Sequence, residues 1–209
     1  MRTNSERVAL GVFVKNLIPG TYKTRLAADA GPDKTEKIYR KLLEITGRIS
    51  ATFPGEVSVF FNKQLPNEGE SQYFSTHRFF IQKGKDLGEK MHTGFDLLLR
   101  THQKAIVIGS DCPVLKSTHL SEAVRALDRC DLVLGPAEDG GYYLIGMKKA
   151  HRFLFEDIEW SSPTVLEDTL QIAKNENLNF HLLETLYDVD RLADWERYRE
   201  QQSSTINLP

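Results

Sequence analysis

The stretch Ala105-Ile106-Val107-Ile108-Gly109-Ser110-Asp111-Cys112-Pro113 decides the fold class. Four apolar residues stand in a row, closed by a glycine, and read as a buried strand. A small polar run with one carboxylate follows at once. Working outward, strand-like and helix-like segments alternate. Val8 to Val14 is a second short apolar run, and Glu56 to Phe61 is rich in β-formers. Between them, Lys34 to Ile49 carries Ile38, Leu42, Leu43, Ile45 and Ile49 on one helical stripe. Asn62 to Glu70, with Pro66 and Gly69, reads as a loop, and Arg78 to Gln82 as a short strand. Leu87 to His102 has a helical period.

Downstream, Thr118 to Leu127 reads as a helix capped by Ser117 or Thr118. Asp131 to Leu134 and Tyr142 to Met147 are strands around a tight glycine loop. Ser162-Pro163 resembles an N-cap with proline at the first helical position, opening a helix to about Lys174. Phe180 to Leu183 is a last strand and Arg191 to Glu200 a last helix, with a frayed tail over 203–209. This alternation predicts an α/β fold, a mainly parallel sheet with helices on both faces in three layers. One domain spanning 1–209 is expected from the length of 209 residues.

Composition excludes several classes. The chain is 40% hydrophobic and 27% charged, ordinary for a globular protein. The longest apolar runs fall far short of the ~20 residues of a membrane span. A net charge of −2 argues against nucleic acid as partner. The charge is uneven, however: residues 1–50 hold ten Lys/Arg against five Asp/Glu, and residues 181–209 hold three against six. Cys112 and Cys130 cannot make a disulfide framework and suit a reducing compartment, so the cytoplasm is expected.

Open α/β sheets bind ligands at the carboxyl ends of their strands. After the first strand come Lys15, the Pro19-Gly20 turn, Lys23 and Arg25 ahead of a helical start, a setting for phosphate. After the third come Asp86-Leu87-Gly88; Asp86 reads equally as an N-cap. Asp111 follows the fourth strand, placed to hold a hard cation. Cys112 lacks a basic partner and reads as a small buried hydrophobe. Asp139-Gly140-Gly141 follows the fifth strand. Its glycines suggest a backbone that clears a substrate, although Asp139-Gly140 alone would make a hairpin turn. Of Tyr142 and Tyr143, alternation lets one reach a pocket. Asp188 and Asp190, at i and i+2, can face one side, with Asp190 also readable as a helix cap. So many strand-end acids point to a divalent metal, Mg²⁺ or Mn²⁺.

With these residues in order, the sequence resembles the small bacterial transferases associated with radical-SAM and selenium-related proteins, classed as glycosyltransferases. The motifs are Lys15, Pro19-Gly20 and Lys23-Thr24-Arg25-Leu26; Asp86-Leu87-Gly88; Gly109-Ser110-Asp111-Cys112-Pro113; Gly135-Pro136 and Asp139-Gly140-Gly141-Tyr142-Tyr143-Leu144-Ile145-Gly146; Trp160-Ser161; and Asp188-Val189-Asp190. The resemblance implies the glycosyltransferase-A, or nucleotide-diphospho-sugar transferase, fold. It also implies a divalent cation between carboxylates and a diphosphate, with Asp111 as a metal-binding acid. Leu17 stands where relatives commonly have proline, and the D-x-D of many glycosyltransferases is a single Asp here.

The leading expectation is a metal-dependent transferase using a nucleotide sugar. Asp111 and Asp188 would hold the metal, with Asp139 as the alternative second acid. Lys15, Gly20, Lys23, Arg25, Asp86 and Gly88 would bind the nucleotide. Asp111 and Asp139 would serve catalysis, Asp139 as base toward an acceptor hydroxyl. The alternatives are a nucleotidyltransferase joining a nucleoside triphosphate to a phosphorylated small molecule, and a nucleotide-binding module without turnover. Acceptor, sugar, base and any homo-oligomer stay open.

Overall fold

The computed structural model describes residues 8–76 and 78–206. Seven strands form one sheet: β1 (Val8–Val14), β2 (Glu56–Phe61), β3 (Phe79–Ile81), β4 (Lys104–Ile108), β5 (Leu132–Pro136), β6 (Tyr142–Met147) and β7 (Phe180–Leu182). Their order across the sheet is β3-β2-β1-β4-β6-β5-β7. Every pairing is parallel except those of β6, which runs antiparallel to both β4 and β5. The helices are α1 (Thr24–Ala30), α2 (Pro32–Ala51), α3 (Glu68–Ser71), α4 (Leu87–Leu99), α5 (Ser117–Ala126), α6 (Val165–Asn175) and α7 (Leu192–Ile206), with a 3-10 turn at Arg152–Phe155.

Period-2 alternation splits β1 between two cores. Val8, Leu10, Val12 and Val14 face α2 and α5, meeting Ile38, Leu42, Leu120 and Leu127. Ala9 and Phe13 face α4 and α6, meeting Met91, Phe95, Leu98 and Ala173. Apolar residues on both sides of one strand are what a covered parallel sheet requires, and the expected three layers follow.

Several local expectations are corrected. The loop over Asn62–Glu70 ends in α3, where Asn67 accepts from Glu70 N at 3.1 Å and Glu70 accepts from Asn67 N at 3.0 Å. Neither Ser117 nor Thr118 caps α5; Lys116 N donates instead to His119 Nδ1 at 3.0 Å. Helix α6 starts at Val165, after Ser162-Pro163. Helix α7 runs through 206, so the first part of the expected frayed tail is helical, and 207–209 lie outside the described residues. No helix among the described residues is long and apolar enough to cross a membrane.

Candidate functional site

The carboxyl end of β1 is pinned before it becomes basic. Asn16 is fully buried, its side-chain carbonyl accepting from Lys63 N and Gln64 N while its amide donates to Glu70 Oε1 at 3.1 Å. Glu70, itself 2% exposed, also accepts from Leu17 N at 2.6 Å. Tyr39 donates its hydroxyl to Lys15 O at 2.8 Å and accepts from Lys15 N at 3.0 Å. The chain then turns through Gly20 (φ 78°) and enters α1 from Lys23, which holds the left-handed φ of 46°.

That backbone directs the Lys23 side chain inward. Its ammonium lies 2.8 Å from Asp111 Oδ2 and 3.1 Å from Asp190 Oδ1, and the side chain is 1% exposed. Burial pushes the ammonium pKa down, and the charges of Asp111 and Asp190 more than reverse that, so the group stays protonated. Arg25 is exposed and reaches Asp190 Oδ2 at 3.3 Å. Asp190 is pulled up by burial and held below the usual carboxylate range by Lys23.

Asp111 leaves β4, and its carbonyl accepts from Val189 N at 2.9 Å. Val189 is fully buried, and Asp188 and Asp190 on either side of it both reach the cavity, as the i, i+2 spacing predicts. Asp190 does not cap α7. Its own N–H and that of Arg191 donate to Asp194 at 3.0 and 2.7 Å, which leaves the Asp190 carboxylate for Lys23 and Arg25. Burial, then the neighbouring charge of Asp111, lifts the Asp188 carboxyl to about 7.

Asp139 sits in the hairpin between β5 and β6. Its Oδ1 accepts from Gly141 N at 2.9 Å, and Gly140 N donates to Ala137 O at 3.1 Å. Gly140 has a φ of 89°, and a Cβ there would run into the carbonyl of Pro163. Leu166 N donates to Gly140 O at 2.9 Å. The expectation that Gly140 clears a substrate is therefore corrected: it clears the segment leading into α6. Tyr142 lines the cavity, whereas the Tyr143 hydroxyl donates to Glu184 O on the other side.

These groups surround one cavity of about 650 Å³, within the size range of small-molecule sites. Lys15, Lys23 and Arg25 are its cations, and Asp111, Asp139, Asp188 and Asp190 its carboxylates. Leu87, Tyr142, Trp160 and Pro163 supply apolar wall. Three expected nucleotide ligands lie elsewhere. Gly20 stays in its turn and does not line this cavity. Asp86 caps α4, accepting from Glu89 N at 2.8 Å. Gly88 packs under Trp160. Cys112 is buried, its thiol pKa pushed up by burial and by Asp188, as a small core residue should be. The sequence reading missed Glu70, although Asn67-Glu68-Gly69-Glu70 carries the spacing of a capping box. It also missed the Arg197–Glu138 pair, at 2.7 and 2.9 Å, which ties α7 to the hairpin.

No group of three or more His, Cys, Asp or Glu among the described residues forms a metal cage. Asp111 and Asp188 on one cavity, the second raised by burial and then by the charge of the first, would nevertheless suit a hard cation that takes its remaining ligands from phosphate and water.

A family model described as an uncharacterized protein conserved in bacteria, DUF2064, matches residues 45–162. A provisionally named nucleotide-diphospho-sugar transferase from Desulfovibrio desulfuricans G20 is 28% identical, with a TM-score of 0.82 over 89% of this chain and 83% of that one. The 4-diphosphocytidyl-2C-methyl-D-erythritol synthase of Anaerococcus prevotii is 10% identical, with a TM-score of 0.62 over 96% and 97%. A CMP:2-keto-3-deoxy-manno-octonic acid synthetase bound to CTP is 11% identical, at 0.56 over 96% and 100%. The last two show the shared fold. No curated protein matches the sequence.

Proposed function

The chain belongs to the DUF2064 family, and we propose that it is a transferase that takes a nucleotide-activated substrate, a nucleotide sugar, with Mg²⁺ or Mn²⁺ as cofactor. The observation that carries this reading is the meeting of three cations and four carboxylates in one cavity at the carboxyl edge of the sheet. The 28% identical Desulfovibrio protein, provisionally named for this chemistry, supports it.

Lys15 and Arg25 would meet the diphosphate, together with the donor that Lys23 keeps after bonding Asp111 and Asp190. Asp111 and Asp188 would hold the cation, which when bound supplies Lewis-acid stabilisation of the departing diphosphate. Asp139, from the opposite loop, would accept the proton of an acceptor hydroxyl. Trp160 and Tyr142 offer flat surface for a base or sugar ring. The buried, unpaired Cys112 and Cys130 suit the cytoplasm.

A thermal-shift panel of nucleotides and nucleotide sugars, with and without Mn²⁺, tests the reading. A ligand at a hundredfold excess over its Kd stabilises by about 2.7 kcal/mol. For a chain of this length that raises Tm by roughly 5–10 °C. Product analysis then follows: nucleoside diphosphate released from a nucleotide sugar supports the assignment. Pyrophosphate released from a triphosphate would move it to nucleotidyl transfer, and no shift with any nucleotide would refute it.

A further inference from the structure

A second cavity of about 450 Å³ adjoins the first, and Trp160 lines both. Gly88 explains the shared wall. A Cβ at this position would stand 2.7 Å from the Trp160 ring and 2.5 Å from Phe155 O, so the indole rests against the first turn of α4. The Asp86-Leu87-Gly88 motif thus straddles the partition, with Leu87 on the first cavity and Asp86 on the second.

The two cavities differ in charge. The second has two cations, Lys85 and Arg152, against four carboxylates, Asp86, Glu89, Glu156 and Asp157. Arg152 is taken up by Glu156 at 2.7 Å. One oxygen of Asp86 accepts from Glu89 N, and Glu89 Oε2 accepts from Lys85 N at 2.7 Å. Asp157 has no ion-pair partner among the described residues, and the His92 ring stands edge-on to Phe155. The lining thus brings four carboxylate side chains together with Lys85, Arg152, His92 and Trp160.

We infer that this second cavity is the acceptor subsite of the proposed transferase, and that it takes a neutral or amino-bearing polyhydroxy compound in preference to a phosphorylated one. The inference rests on the transferase reading above. Each hydroxyl of such a compound both donates and accepts, which suits a lining that holds both carboxylates and cations. Its C–H face suits Trp160. A phosphate would face an excess of two negative charges. Trp160 is common to both cavities, so an acceptor held there must present its reacting hydroxyl past the Trp160 edge to Asp139 in the first cavity.

The test uses the full chain and two independent titrations. Glucose, mannose, N-acetylglucosamine, glucosamine and glucose 6-phosphate are followed by saturation-transfer NMR and tryptophan fluorescence, and nucleotides by calorimetry. At least one unphosphorylated sugar should bind, and bind more tightly than the 6-phosphate. Asp157→Asn and His92→Ala should each weaken that sugar by roughly tenfold, the scale of one charge-assisted hydrogen bond, with nucleotide affinity unchanged. Asparagine tolerates the left-handed φ of 57° at Asp157, so this variant keeps the loop. Absence of sugar binding, tighter binding of the 6-phosphate, or full sugar affinity in both variants would overturn the inference and leave the nucleotide result standing. Sugar binding that both variants weaken, in a chain that binds no nucleotide, would refute the transferase reading and keep the sugar site.

Discussion

Replacing Lys23 with methionine keeps the length of the stem and deletes one charge. The lysine side chain is 1% exposed, and the side chains of its partners Asp111 and Asp190 are 27% and 45% exposed. Breaking a fully buried pair costs about 3–5 kcal/mol, because the survivor stays charged and dry. Here the survivors keep partial access to water, so we expect about 2–3 kcal/mol, or a fall in Tm of roughly 5–10 °C. Methionine meets the same left-handed backbone as lysine, so that contribution cancels. Guanidinium unfolding of the wild type, Lys23→Met, Asp190→Asn and the double variant closes a cycle, with an expected coupling of about 1–2 kcal/mol. A loss below about 0.5 kcal/mol for Lys23→Met, or additive single losses, would refute the claim that this lysine holds the acids in place.

Four further outcomes are expected. Asp188 titrates near 7 in the folded chain against 3.8 ordinarily, so between about pH 4 and 7 the folded state keeps a proton that the unfolded state has lost. Stability should fall as pH rises through that window, and Asp188→Asn should flatten the profile of melts taken from pH 4 to 8. Added Mn²⁺ should raise Tm at pH 8 and have little effect at pH 5.5. Asp139→Asn keeps an oxygen for Gly141 N, so nucleotide affinity by calorimetry should hold while turnover drops by about 10²–10⁴-fold. Gly140→Ala combines a φ of 89° with a Cβ directed at the Pro163 carbonyl and should lower stability by at least about 2 kcal/mol in denaturant titration.

Much of this architecture is legible in the chain because covered strands must be apolar on both sides. Val8–Val14 and Ala105–Ile108 show themselves that way, Glu56–Phe61 shows itself by its β-formers, and the groups following the first two, Lys23 and Asp111, do meet in the cavity. What stays hidden depends on contacts distant in sequence. The bond from Lys23 to Asp190 spans 167 positions, and no local pattern announces it. Gly88, expected to bind nucleotide, and Gly140, expected to clear a substrate, make room for Trp160 and Pro163, each of which comes from another element. Asp86 satisfies two readings of one motif, and only packing selects the cap.

The reversed strand β6 acts as a ruler. It lies between β4, which delivers Asp111, and β5, which delivers Asp139. Adjacent strands are about 4.8 Å apart, so the roots of these two loops stand about 10 Å from each other. That gap is set by two rows of backbone hydrogen bonds, and no side-chain substitution can widen or narrow it by much. Evolution could exchange the loops on either bank for different substrates while the crossing between them kept its width.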